Sequence, residues 1–126
     1  AEPDRKLRVL VVDDNIESAE LVAEGLSLRG HEVAVAHDGP SALLKAVEFR
    51  PEAALVDIGL PVMDGFALAP RLREVSGPIR LIALTGYSRE DDRERTRAAT
   101  FDGHLIKPVS LREIVASLVG AERDPR

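Results

Sequence analysis

Four short blocks of this chain end in residues that could do chemistry together. Leu10-Val11-Val12 runs into Asp13 and Asp14, Ala54-Leu55-Val56 into Asp57, Ala83-Leu84 into Thr85, and Leu105-Ile106 into Lys107. Carboxylates that each follow a buried-strand pattern can converge on one hard cation, and a lysine opposite them can neutralise a dianionic phosphoryl group. For that to happen the apolar runs must be neighbouring parallel strands, whose ends gather along one edge of a sheet. Each residue also has a plainer role. Asp13, Asp14 and Asn15 are types that cap helices, Asp57 is an ordinary loop carboxylate, Asp64-Gly65 is a turn, Thr85 a strand end and Lys107 a solvated cation. Lys107 gains weight because the chain has three lysines against fourteen arginines, and this one directly follows an apolar strand.

The elements needed to bring these blocks together are legible. Strand-like and helix-like segments alternate five times, which argues for a parallel sheet covered by helices on both faces. The expected strands are Leu7–Val12, Glu32–Ala36, Ala53–Val56, Ile79–Leu84 and Gly103–Ile106. Val33 and Val35 alternate with a more polar row, which suits a sheet edge. A first helix over Ile16–Leu28 places Ile16, Ala19, Val22, Ala23 and Leu26 on one face, with Gly30 positioned for a left-handed cap. Gly39-Pro40 opens a helix over Ser41–Glu48, because proline at the first position sacrifices an amide that had no partner anyway. A third helix over Phe66–Glu74 must place Pro70 near its first turn or kink there. The helix expected after Ser88 is almost wholly charged up to Ala98 and weakly anchored. Ser110 and Glu113 form a capping box for the last helix, whose Leu111, Ile114, Val115 and Leu118 face inward.

Composition bounds the partners. At 126 residues, 44% hydrophobic and 31% charged, the chain fits one domain with a core over about residues 7–119 and charged flexible tails (Ala1–Lys6 and Ala121–Arg126). The lack of cysteine excludes disulfides and thiolate metal sites, so a bound metal would be held by oxygen or imidazole. A net charge of -5 and 3% aromatics argue against a general nucleic-acid grip. No apolar stretch approaches membrane-spanning length and no secretory signal is evident, so the expectation is a cytoplasmic protein with no membrane contact.

The blocks Val11-Val12-Asp13-Asp14-Asn15, Leu55-Val56-Asp57-Ile58-Gly59-Leu60-Pro61-Val62-Met63-Asp64-Gly65, Ala83-Leu84-Thr85-Gly86 and Gly103-His104-Leu105-Ile106-Lys107-Pro108 together resemble the receiver domain of two-component response regulators. The resemblance spans essentially the whole chain. It implies a doubly wound, flavodoxin-like (βα)5 fold with strand order 2-1-3-4-5. It implies Asp57 as phosphoryl acceptor, with Asp14, Asp57 and the carbonyl of Gly59 as direct Mg²⁺ ligands and Asp13 acting partly through water. By the same resemblance Lys107 pairs with the phosphoryl oxygen or Asp57, Thr85 hydrogen-bonds the attached phosphoryl group, and the Lys107–Pro108 bond is cis. The implied partners are a histidine kinase or histidine phosphotransfer protein, with an attached kinase or output domain as further candidates. A receiver catalyses only its own phosphorylation and dephosphorylation, so the chain is not expected to be a turnover enzyme.

Several positions depart from the family pattern. Gly86 stands where alanine is usual, His104 where many receivers carry an aromatic ring, and Thr100 where a glycine usually caps the preceding helix; Tyr87 and Gly59 occupy variable positions that tune phosphoaspartate lifetime. The Leu84-Thr85-Gly86-Tyr87-Ser88 and Phe101-Asp102-Gly103-His104 blocks look more like receivers of hybrid histidine kinases. Two other functions stay open at this stage. An aspartate-based, Mg²⁺-dependent phosphohydrolase would share the acceptor and its acidic neighbours, but Ile58 and Gly59 supply no general acid and no capping insertion follows. A receiver-like binding module would typically have lost an acid or the lysine, and all are present.

Overall fold

A computed structural model describes residues 5–86 and 101–119. The helix expected after Ser88, together with Tyr87, Thr100 and most of both charged tails, lies outside the described residues. Five parallel strands, β1 (Arg8–Val12), β2 (Glu32–Ala36), β3 (Ala53–Asp57), β4 (Arg80–Thr85) and β5 (Gly103–Ile106), form one sheet in the order 2-1-3-4-5. Helices α1 (Ile16–Leu28) and α4 (Leu111–Ser117) pack on one face, and α2 (Gly39–Phe49) and α3 (Gly65–Ser76) on the other. This is the doubly wound, flavodoxin-like arrangement: a parallel sheet covered on both faces, as the alternation of segments suggested, in the strand order that the family resemblance implied. No helix among the described residues is long and apolar enough to cross a membrane.

Strand parity builds the two layers. Leu10, Val12, Ala54, Val56, Leu81 and Ala83 point toward α2 and α3, while Val9, Val11, Ala53, Leu55, Ile82 and Leu84 point toward α1 and α4. Since β1, β3 and β4 bury both rows, they read as continuous apolar runs, whereas β2 sits at the edge with Glu32 exposed. Arg8 and Arg80, each the first residue of its strand, are only partly buried.

The helix ends follow local chemistry. Asn15 caps α1 by accepting from Ser18 N at 3.0 Å, Asp38 caps α2 through Ser41 N at 2.8 Å, and Asp64 caps α3 through Ala67 N at 2.9 Å. The Ser110–Glu113 capping box is present on α4. With Asp38 as cap, α2 begins at Gly39, earlier than the sequence suggested, and Arg50 ends it at φ 55. The third helix reaches Ser76 with Pro70 in its second turn. One expectation fails: Ile16 does not join the core but is 55% exposed. It is the first helical residue, and side chains on a helix lean toward its N-terminus, so Ile16 projects beyond the end of the sheet and not onto it.

Candidate functional site

Sheet register brings the four blocks to one edge. Val12 is paired with Val56, Asp57 with Leu84, and Thr85 with Ile106, so the residues that follow these partners emerge side by side. Ladder-like hydrogen bonds continue past the strand ends. Asp13 N donates to Ala36 O at 3.1 Å, Ile58 N to Leu84 O at 3.1 Å, and Lys107 N to Thr85 O at 2.7 Å. The functional side chains are thus carried on backbone that is fixed by the sheet itself.

Carboxylate oxygens of Asp13, Asp14 and Asp57 all lie within 4.8 Å of one another. Oxygens on opposite sides of a six-coordinate Mg²⁺ stand about 4.2 Å apart, so a small contraction would close this set on such an ion. The three differ in exposure: Asp13 is buried at 3%, Asp57 is half-buried and Asp14 opens to solvent. Lys107 Nζ donates to Asp57 Oδ2 at 3.1 Å and to Asp13 Oδ2 at 3.3 Å. Asp57 Oδ1 accepts from Gly59 N at 2.9 Å, and Asp13 Oδ1 from Asn15 N at 3.0 Å. The Lys107–Pro108 bond is cis.

Electrostatics mark the set as short of positive charge. Burial pushes the Asp13 carboxyl above its ordinary range, the nearby Asp57 charge adds to this, and the Asn15 amide and Lys107 only partly offset it. Burial alone would lower Lys107, but its hydrogen bond to Asp57 and the two carboxylate charges outweigh this and raise it. One ammonium facing three carboxylates leaves a net negative pocket, which is what a hard divalent cation would neutralise.

Every residue expected from the sequence stands at this edge. Asp13, Asp14, Asp57 and Lys107 meet directly, and Gly59 reaches Asp57 through its amide. Thr85 is buried at 2% one step beyond the Asp57–Leu84 pairing. Two contributors were not anticipated. A Cβ on Gly65 would come within 2.6 Å of Ile58 Cα and 3.0 Å of Asp57 O, so only glycine lets the backbone pass this close behind Asp57. His37 Nδ1 donates to Asp13 O at 2.9 Å and steadies that carboxylate's backbone. Spacing to Asp57 could have flagged Gly65; nothing local could have flagged His37.

Residues 9–119 match the family model described as response regulator receiver domain. The chain belongs to that family. Receiver domains are the phosphoryl-accepting signalling modules of two-component response regulators. Over 109 residues the chain is 42% identical to the transcriptional regulatory protein PrrA of Mycobacterium tuberculosis, covering 86% of this chain and 47% of that protein. It is 33% identical over 112 residues to the response regulator MprA of Mycobacterium avium, covering 89% and 49%. The chain thus spans about half the length of the curated relatives it matches. Among solved structures, the chemotaxis protein CheY4 of Vibrio cholerae superposes with a TM-score of 0.84 at 29% identity, covering 90% of this chain and 97% of that one. A response regulator from Burkholderia pseudomallei, described with a phosphorylated aspartic acid, a calcium ion and citrate, superposes with a TM-score of 0.83 at 32% identity, covering 90% and 66%.

Proposed function

We propose that Asp57 is the phosphoryl acceptor of this receiver, that Asp13, Asp14, Asp57 and the Gly59 carbonyl hold Mg²⁺, and that the donor is a phosphohistidine of a kinase or phosphotransfer protein. The observation that carries this is the convergence of three carboxylates and one lysine on a single point at the carboxyl edge of the sheet. The described phosphoaspartate and bound divalent ion of the Burkholderia relative support it.

A bound divalent cation would supply charge neutralisation at the transferring phosphoryl group. The protein supplies the rest. An oxygen of Asp57 forms the new O–P bond as the donor's N–P bond breaks, and the electron pair leaves with the imidazole. The Gly59 amide already orients Asp57 Oδ1. Lys107, poised on Oδ2, is placed to move onto a phosphoryl oxygen as charge builds there. Thr85, buried at the end of the adjacent strand, would donate its hydroxyl to the attached group. The chain acts once per phosphorylation cycle on itself and is not a turnover enzyme. We place it in the cytoplasm, as one part of a longer regulator with an output or kinase domain.

With Mg²⁺ and acetyl phosphate, intact-mass measurement should show one added phosphoryl group on the unmodified chain and none on Asp57→Asn. Unchanged labelling of the variant would refute the acceptor assignment, and many turnovers on a small phosphomonoester would revive a phosphohydrolase.

A further inference from the structure

The loop after Asp57 contains a backbone conformation that its sequence should avoid. Val62 sits at φ 68, and Met63 N donates to Pro61 O at 2.6 Å, so Val62 is the centre of a tight three-residue turn of the rare, strained, positive-φ kind. A β-branched residue is among the worst for this region, where glycine or asparagine would be at ease. The strain gives no compensating contact within the fold, because Val62 is 92% exposed, more than any other large hydrophobic residue described.

Its exposure is imposed by its neighbours. On one side Leu60 is buried at 5%. On the other, Met63 packs on the start of α2, its Cβ 2.9 Å from where a Gly39 side chain would begin, and Asp64 is fixed as the cap of α3. The loop is pinned at both shoulders and holds one apolar side chain out between them. Strain retained at a site beside the chemistry points to a use in that chemistry or its partners.

We propose that Val62 is an apolar anchor and a specificity determinant for a protein phosphodonor. This rests on Asp57 being the acceptor. A phosphohistidine must bring its phosphorus to bonding distance of Asp57, which is half-buried at the strand end where this loop begins. Five residues of chain reach at most roughly 18 Å, and the turn shortens that. Even a small transient interface covers a patch of roughly 25 Å across, about 12 Å to each side of its centre, so a donor seated on Asp57 and reaching over this loop covers Val62. A small phosphodonor makes no such contact.

The test compares two donors and two variants. Val62→Asn relieves the strain and removes the apolar surface; Val62→Thr keeps the branched shape and the strain but is polar. The donors are acetyl phosphate and a phosphohistidine-loaded histidine kinase domain, the one from a panel that transfers fastest to the unmodified chain. Both variants should label with acetyl phosphate within about twofold of the unmodified chain. With the kinase domain both should raise KM about tenfold, as expected for losing one buried valine contact, with kcat little changed. Val62→Asn should melt at the same temperature or higher, which separates docking from stability. Unchanged KM for the kinase domain overturns the inference, as does a parallel loss of acetyl phosphate labelling. No labelling of the unmodified chain by either donor would instead sink the acceptor assignment, and this inference with it.

Discussion

The two edges of the sheet use the same residue types to opposite ends. At the amino edge Glu52 accepts from Arg8 N at 2.9 Å and from the Arg5 guanidinium, while its backbone bonds Arg8 O at 2.8 Å and Arg80 N at 3.0 Å. Beside it Leu7 N donates to His31 Nδ1 at 3.0 Å, and Arg8 Nε to the carbonyls of Phe49 and Arg50. Each of these groups is met by one of complementary kind. Burial alone would raise Glu52, yet the Arg5 and Arg8 contacts outweigh it and hold the carboxyl below its ordinary value. At the carboxyl edge three carboxylates face one lysine, and Asp13 is pushed the other way. A closed network holds the start of the strands together. An open one keeps a deficit of positive charge that an arriving cation can fill.

The largest expected effect is on chemistry. Lys107→Ala should slow acetyl phosphate labelling about a hundredfold, the usual cost of losing one preorganised donor to a developing charge. Glu52→Gln, at the opposite edge, should leave the labelling time course within about twofold. Equal slowing in both would break the division between the edges. Comparable in size is the effect on metal affinity. Asp14→Asn should weaken Mg²⁺ binding about a hundredfold and Asp13→Asn about tenfold, because Asp13 is already engaged by the Asn15 amide and Lys107. Calorimetric titration of the two variants with Mg²⁺ decides, and the reverse order would mean the two carboxylates are assigned the wrong way round.

Much of this was legible in the sequence because strand parity and strand ends are local signals. An apolar run followed by a charged residue says both that a strand is buried and where it stops, so Asp13, Asp14, Asp57 and Lys107 announce the carboxyl edge. The Ser110–Glu113 box and the edge position of β2 were legible for the same reason. What was not legible depends on contacts between distant segments. Glu52 meets Arg5 and Arg8 across more than forty positions. His37 meets Asp13 only because β2 lies beside β1. Ile16 fits a helical face by spacing, yet it falls outside the core because the sheet ends before it. Val62 carries no local sign of a positive φ, since its residue type argues against one.

Stability should separate the edges by sign. In metal-free protein, Asp13→Asn removes a buried charge that is incompletely compensated and should raise unfolding free energy on the order of 1 kcal/mol. Glu52→Gln removes a satisfied acceptor and should lower it by about 1 kcal/mol. Urea unfolding in the presence of a chelator measures both. A loss in Asp13→Asn would show that Lys107 fully satisfies that carboxylate in the absence of metal.

The smallest effect is the pH dependence of those differences, and its sign follows from the two directions of shift. Asp13 binds its proton more tightly folded than unfolded, so its contribution to stability falls as pH rises from the unfolded value of 3.8 through the raised folded one. Glu52 binds its proton less tightly folded, so its contribution is present above the unfolded value of 4.5 and lost as pH falls through the lowered one. The gain in Asp13→Asn and the loss in Glu52→Gln should therefore both grow as pH rises, in opposite directions. They should converge toward zero at acid pH, where both carboxyls are protonated folded and unfolded alike and an amide closely mimics the neutral acid. Chelator-treated urea titrations from pH 3 to pH 7 would trace the two curves. A gain in Asp13→Asn that stays constant across that range would show that it comes from packing or capping and not from the buried charge, and the contrast between the edges would then be one of geometry alone.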